Sequence, residues 1–190
     1  MTNLKKILFD NYDTGLIQLF PDIHNDERGY FIESFNLNNW SNYQPFVQDN
    51  ESCSQRGVIR GLHYQYKDNA QAKLVRVVKG SVIDIVLDIR KYSLSFGKVF
   101  YFKLNDKIKN QLYVPRGFAH GFVTLEDNTI FAYKCDNFYC KESERGINIM
   151  DPALKIKDKI INEFNLTESE FILSEKDKLH PSFSQTKDLF

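Results

Sequence analysis

"KLVRVVKGSVIDIVLDI", residues 73–89, is the stretch whose reading decides the architecture. Its second half, "SVIDIVLDI" (81–89), steps with period two. Ile83, Ile85, Leu87 and Ile89 share one face, while Val82, Asp84, Val86 and Asp88 share the other. Short segments of the same kind recur on both sides, broken by turn residues. "GYFIESF" (29–35) follows the turn signal "HNDERG", and "GVIRGLHY" (57–64) is separated from residue 73 by the polar loop "QYKDNAQA". Downstream come "KVFYFKL" (98–104), "QLYVP" (111–115), "HGFVTLE" (120–126) and "TIFAYKC" (129–135), with "LEDNT" reading as a hairpin turn. With 16 Phe and 10 Tyr the chain is rich in strand-favouring rings. The pattern predicts an all-β sandwich or barrel forming a single domain over residues 1–190. Only the tail, roughly 155–178, reads as helical, where "LTESEF" and "SEKD" resemble helix starts.

Composition narrows the functional classes. Lys+Arg and Asp+Glu are both 25 in 190 residues, for a formal net charge of +0. That balance argues against a nucleic-acid partner held by bulk charge, yet it permits a local basic pocket. No apolar run reaches membrane-spanning length, and "MTNLKKILFDNYDTG" lacks a signal-peptide core, so no membrane partner and a cytoplasmic location are expected. Cys53, Cys135 and Cys140 are an odd, sparse set that suggests free thiols. Cys135 and Cys140 lack the further ligands that a zinc site needs.

Polar and ionisable residues crowd the segment around His63: Gln48, Asp49, Asn50, Arg60 and Lys73. In plain strand geometry residues 61 and 63 share a face, so Arg60 points away from His63 unless a bulge or twist intervenes. Asp84 sits mid-strand on the less apolar face, where an aspartate is most often solvent-facing; a functional role needs other polar groups aimed at the same space. His120 in "VPRGFAHGFV" completes one half of a cupin signature, but the other half, "GLHYQ", holds one histidine where metal binding needs two. No metal is therefore expected, which leaves histidines free for acid–base work near neutral pH. Tyr133, on a face with Phe131 and Cys135, is a packed aromatic in most settings, but opposite a histidine its phenol could donate a proton.

The stretches "DERGYFIESFN", "FVQDN", "VIRGLHYQ", "AKLVRVVKGSVIDIVLDIR", "SLSFGK", "LYVPRGFAHGFVTL" and "AYKCDNFY", in that order, together with "LSEKD" (173–177), resemble the dTDP-4-dehydrorhamnose 3,5-epimerase family. The resemblance implies a cupin-type jelly-roll β-sandwich or barrel with short C-terminal helices, a homodimer with exchanged strands, and no cofactor. It also implies epimerisation at C3, C5 or both of a nucleotide-diphosphate-linked 4-keto-6-deoxy sugar or heptose, through an enolate. By the family motifs His63 is the base, Asp177 orients it, Lys73 stabilises the oxyanion and Tyr133 is the opposing acid. The same motifs place Arg28, Glu33, Gln48, Asp49, Asn50, Arg60, His120, Glu144 and Lys176 around the substrate, with Asp84 supporting His120.

His24 stands where family members often carry an aromatic residue near the nucleotide base, which keeps GDP- and CDP-linked sugars and single-centre epimerisation as alternatives. A non-catalytic sugar-nucleotide-binding cupin is the alternative of another class. Its expected sign is loss of His63, Lys73 or Tyr133, and all three are present. A metal-dependent cupin oxygenase or isomerase is a third class.

Overall fold

The computed structural model describes residues 3–40 and 43–190. One sheet runs, edge to edge, β1 (Asn3–Phe9), β2 (Tyr12–Phe20), β10 (Gln111–Val114), β7 (Lys73–Lys79), β12 (Thr129–Cys135) and β5 (Gln48–Ser54). The other runs β13 (Glu144–Gly146), β6 (Val58–Gln65), β11 (Phe118–Thr124), β8 (Ser81–Asp88) and β9 (Val99–Asn105), and β14 (Ile172–Leu173) pairs with β6 in parallel. A separate hairpin, β3 (His24–Asp26) and β4 (Gly29–Phe31), is exposed along its whole length. The two facing sheets, with strands distant in sequence lying side by side, form a cupin-type jelly roll.

Strand β8 is buried at every position because both of its faces are covered. Val82 and Val86 point between the sheets and pack with Val75, Val77, Leu112 and Phe131 of the opposite sheet. Ile83, Ile85, Leu87 and Ile89 point the other way, against Ile147, Ile149, Leu154 and helix α1 (Ile156–Phe164), which contributes Ile156 and Ile160. The less apolar face of this strand is thus the inner face. That places Asp84 in the interior, 0% exposed, where the commoner solvent-facing reading does not apply. A third cluster, Ile17, Leu19, Leu74 and Tyr113 beneath Trp40, covers the outer face of the first sheet.

Two local expectations are corrected. Of "GYFIESF" only Gly29–Phe31 is strand, since the hairpin has no sheet to join. The tail forms the short helices expected but is not helical throughout 155–178: α1 ends at Phe164, with left-handed Asn165 after it, and the Thr167 capping box starts only a 3₁₀ turn. Ser174 caps a second short helix, α2 (Glu175–Lys178). Between them Ile172–Leu173 is extended, because alignment beside Val58 and Ile59 supplies main-chain partners that a helix there would forfeit.

The pairing of β6 with β11 decides the fate of Arg60. His120 lies opposite His63, but Phe122 lies opposite Arg60 and Val123 opposite Ile59. Three steps on β6 therefore match two on β11, which is a β-bulge at Gly61–Leu62. The extra residue resets the alternation: Ile59 and Leu62 both enter the outer core, while Arg60 and His63 both face inward. Glycine is required on both sides of this bulge. Gly61 has φ +113°, and a Cβ on it would stand 2.7 Å from Gly121 Cα; a Cβ on Gly121 would stand 2.5 Å from the Arg60 carbonyl oxygen.

Gly61→Ala is accordingly expected to cost about 3 kcal/mol through backbone strain and overpacking. Urea unfolding measures the loss, and an unchanged midpoint would show that the two strands approach less closely than described.

Candidate functional site

A cavity of about 650 Å³ opens between the sheets at one end of the barrel, a volume ordinary for a small-molecule site. Its walls come from both sheets and the C-terminal segment. Arg60, His63, His120 and Phe122 stand on β6 and β11, Asn50, Lys73, Phe131 and Tyr133 on β5, β7 and β12, and Ser174, Lys176 and Asp177 close one side. Alternation explains this gathering. Lys73 shares a face with Val75 and Val77, and Tyr133 with Phe131, so inward-facing strands end in polar groups where the apolar core stops.

His63 and Asp177, 114 residues apart, meet at 2.5 Å between Nε2 and Oδ1. The parallel pairing of β14 with β6 delivers α2 to this place, and Ser174 Oγ accepts the Asp177 main-chain N–H at 3.1 Å. The Asp177 side chain is 5% exposed, whereas His63 is 31% exposed, toward the cavity. Burial pushes the Asp177 carboxyl upward, but the hydrogen bond and charge of His63, aided by Ser174, outweigh it and hold the pKa below its ordinary value. Beneath the cavity His120 Nε2 meets both Asp84 oxygens, at 3.0 and 2.9 Å, with both residues buried. Phe122 and Phe131 stack at 4.1 Å between centroids as the apolar part of the lining.

On the opposite wall Lys73 Nζ lies 5.9 Å from the Tyr133 ring centroid. Burial lowers the Lys73 ammonium, opposed by Cys135, Asp84 and Glu144. The Tyr133 phenol is raised by burial and by Cys135, with Arg60 as the cation that counters this. Desolvation dominates here and keeps the hydroxyl protonated.

Not every residue expected at the site reaches the cavity. Arg28 sits in the turn of the exposed hairpin, 84% exposed and paired with Asp26 at 2.6 Å. Glu33 lines a different groove of about 630 Å³ with His24, Phe35 and Trp40. Asp49 points to the outer side of edge strand β5 and pairs with Lys134 at 2.8 Å, because alternation turns only Gln48 and Asn50 inward. At the rim, Gln48 Nε2 donates to Asn50 and Gln48 Oε1 accepts the Tyr139 main-chain N–H. Glu144 there binds Lys176 Nζ at 2.5 Å and accepts from the Tyr139 hydroxyl at 3.0 Å. Burial raises the Glu144 carboxyl, and those two partners more than reverse it, leaving it low.

Sequence reasoning missed His180. Its ring lies 5.5 Å from that of His63, and its Nε2 lies 3.5 Å from Asp177 Oδ1. The available signal was its place three residues after Asp177, which the short helix turns back onto the same side.

The depressed Asp177 pKa has a definite sign. The folded value lies below the ordinary 3.8, so the unfolded chain binds more protons at acid pH. The pair's contribution is complete above that ordinary value and is lost as pH falls through the folded one. Asp177→Asn should flatten the loss of stability below about pH 4, followed as urea midpoint against pH. An acid slope as steep as the parent's would mean that other carboxyls account for it.

The family model described as dTDP-4-dehydrorhamnose 3,5-epimerase matches residues 14–185. A dTDP-4-dehydrorhamnose 3,5-epimerase of Shigella flexneri is 46% identical over 161 residues, covering 83% of this chain and 84% of the relative. The crystal structure of the Elizabethkingia anophelis protein of the same name superposes with a TM-score of 0.86 at 42% identity, over 98% of both chains. A dTDP-6-deoxy-D-glucose-3,5-epimerase from Legionella pneumophila, in complex with dTDP-4-keto-L-rhamnose, gives a TM-score of 0.87 at 39% identity, over 98% of this chain and 95% of that one.

Proposed function

The chain belongs to the dTDP-4-dehydrorhamnose 3,5-epimerase family, and we propose that it inverts C3 and C5 of a dTDP-linked 4-keto-6-deoxy sugar in deoxysugar biosynthesis. The observation that carries this reading is the placing of His63 and Tyr133 on opposite sheets, facing one cavity, with Lys73 beside the tyrosine. The C–H bonds at C3 and C5 are acidified by the carbonyl at C4. Asp177 engages His63 Nε2, so Nε2 carries the ring proton and Nδ1 keeps the lone pair. Nδ1 takes the sugar proton, and the C–H electrons move onto the carbonyl oxygen as an enolate. The Lys73 ammonium stabilises that oxygen inside a desolvated site. Tyr133 then returns a proton to the other face; its raised pKa keeps the phenol loaded until the enolate is present. Side chains fill every role, and the protein is a metal-independent isomerase.

Arg60 and Lys176 are the cations available to the diphosphate, with Asn50, Gln48 and Glu144 as polar contacts at the rim. His120, held by Asp84, presents its ring to the sugar, and Asp49 steadies the edge strand through Lys134. Arg28 and Glu33 meet substrate by a different route. The hairpin that precedes Glu33 exposes Tyr30 (55%) and Phe31 (69%), and β1 exposes Leu4 and Leu8. Such a patch suits a homodimer in which each hairpin crosses to the partner and brings Arg28 and Glu33 over its cavity. His24 lies beside Phe31 on that hairpin, the rings tilted at 6.4 Å, rather than in the cavity of its own chain, so it gives no ground to prefer a GDP or CDP sugar. The chain acts as one domain because the cavity draws on both sheets, and its nucleotide-sugar substrate together with three free thiols favours the cytoplasm. Among the described residues no helix is long and apolar enough to cross a membrane.

With dTDP-4-keto-6-deoxyglucose in D₂O, deuterium should enter C3 and C5, and His63→Ala should abolish uptake at both. Exchange that survives the substitution removes His63 as base. Tyr133→Phe should slow inversion far more than exchange, by about 100-fold or more, while equal small effects on both would return Tyr133 to packing. Sedimentation should find a dimer, and Phe31→Asp a monomer with weakened substrate binding; a wild-type monomer would overturn the exchanged arm.

A further inference from the structure

His180 has no part in the proton transfers above, yet the fold holds it firmly at the site. Its ring lies against Gly146 of β13, where a Cβ would stand 2.3 Å from His180 Nε2, so no other residue at 146 would leave the ring in place. The following residue is tied down as well, since the Pro181 carbonyl accepts the Asn148 main-chain N–H at 2.8 Å. Clamped in this way, His180 Nε2 is buried and has no hydrogen-bond partner among the described residues. Buried polar atoms without partners are rare in folded proteins. This one is aimed at a carboxylate oxygen that His63 Nε2 already engages.

The ligand atoms of His63, Asp177 and His180 all lie within 4.8 Å of one another. Two imidazole nitrogens and one carboxylate oxygen are the donor set of open tetrahedral zinc sites, whose fourth position is left to solvent. Hard, oxygen-seeking cations such as magnesium are disfavoured by two nitrogens among three donors. The Lys176 ammonium, which would repel a cation, is drawn to Glu144 at 2.5 Å. We propose that His63, Asp177 and His180 form an inhibitory site for a divalent transition-metal cation, zinc by its donor set. The site is built from the catalytic pair and one residue outside the reaction.

The inhibition rests on the reading of His63 as the base. Zinc takes the Nε2 lone pair, and the proton that Nε2 carried moves to Nδ1, the nitrogen that must accept from the sugar. No proton is lost overall, and the base is disabled by its tautomer rather than by its removal. The Asp177–His63 contact must open from 2.5 Å to admit the ion, so metal and the ordering hydrogen bond exclude each other.

The test uses the full chain in chelator-free buffer. Titration calorimetry with zinc chloride should give about one ion per chain. Cobalt chloride should give the visible absorption of a tetrahedral nitrogen–oxygen site. Zinc should stop deuterium uptake, and EDTA should restore it. In His180→Ala, and in His180→Phe, which fills the same space without a ligand, zinc affinity should fall by about 100-fold or more, with uptake in zinc-free buffer retained. His24→Ala, which removes an exposed imidazole elsewhere, should leave zinc affinity unchanged. No binding by the parent chain, or binding that survives both His180 variants, overturns the site. Binding that depends on His180 while deuterium uptake continues supports the site and instead overturns His63 as the base.

Discussion

Gly61 and Gly121 touch where β6 crosses β11, and the rest of the site depends on that contact. The missing side chains let β6 carry one residue more than its partner, which returns Arg60 to the face that His63 occupies. Without the bulge, alternation would keep Ile59 and Leu62 on opposite faces, and either the outer core or the cavity would lose a member. One bulge therefore serves both packing and chemistry. It fills the apolar layer with Ile59 and Leu62 while leaving two cationic or basic groups in the barrel mouth.

The interior of the barrel is divided along its length. Val75, Val77, Val82, Val86 and Phe131 close one part completely. Lys73 and Tyr133 continue the inward-facing rows of Val75, Val77 and Phe131, while Asp84 stands between Val82 and Val86 and His120 between Phe118 and Phe122, so each polar group stands on a strand whose neighbours are locked in a core. This gives acid–base groups the rigidity that proton transfer between fixed atoms needs. It also sets their electrostatics: the burial that keeps the Tyr133 phenol protonated is the burial that lowers the Lys73 ammonium. In the mechanism proposed above, the developing enolate adds a negative charge beside this desolvated lysine, where low polarity strengthens the attraction.

The C-terminal segment has a different logic. Alone, "LTESEFILSEKD" carries helix-start signals, and each does begin a turn. What lies between is extended because β6 offers a parallel edge, and that docking carries Asp177 and His180 to His63. Local propensity sets where the turns begin, and tertiary pairing sets where they go.

Period-two alternation in residues 73–89 was enough to determine an all-β core, because it survives any choice of partner strand. The ordered motifs around His63, His120 and Tyr133 were enough to determine the family and the kind of chemistry. What alternation could not reach were departures from it and contacts between distant segments. The inward turn of Arg60 needed an extra residue opposite Gly121, and the inward face of Asp84 depended on which side of β8 the second sheet covered. Asp49 went outward because edge strand β5 pairs with β12 in one register and no other. His180, a histidine in a polar tail, gained its place only when β14 bound β6. Each of these is fixed by pairing between segments far apart in the chain, and a one-residue change of register would send every side chain to the other face.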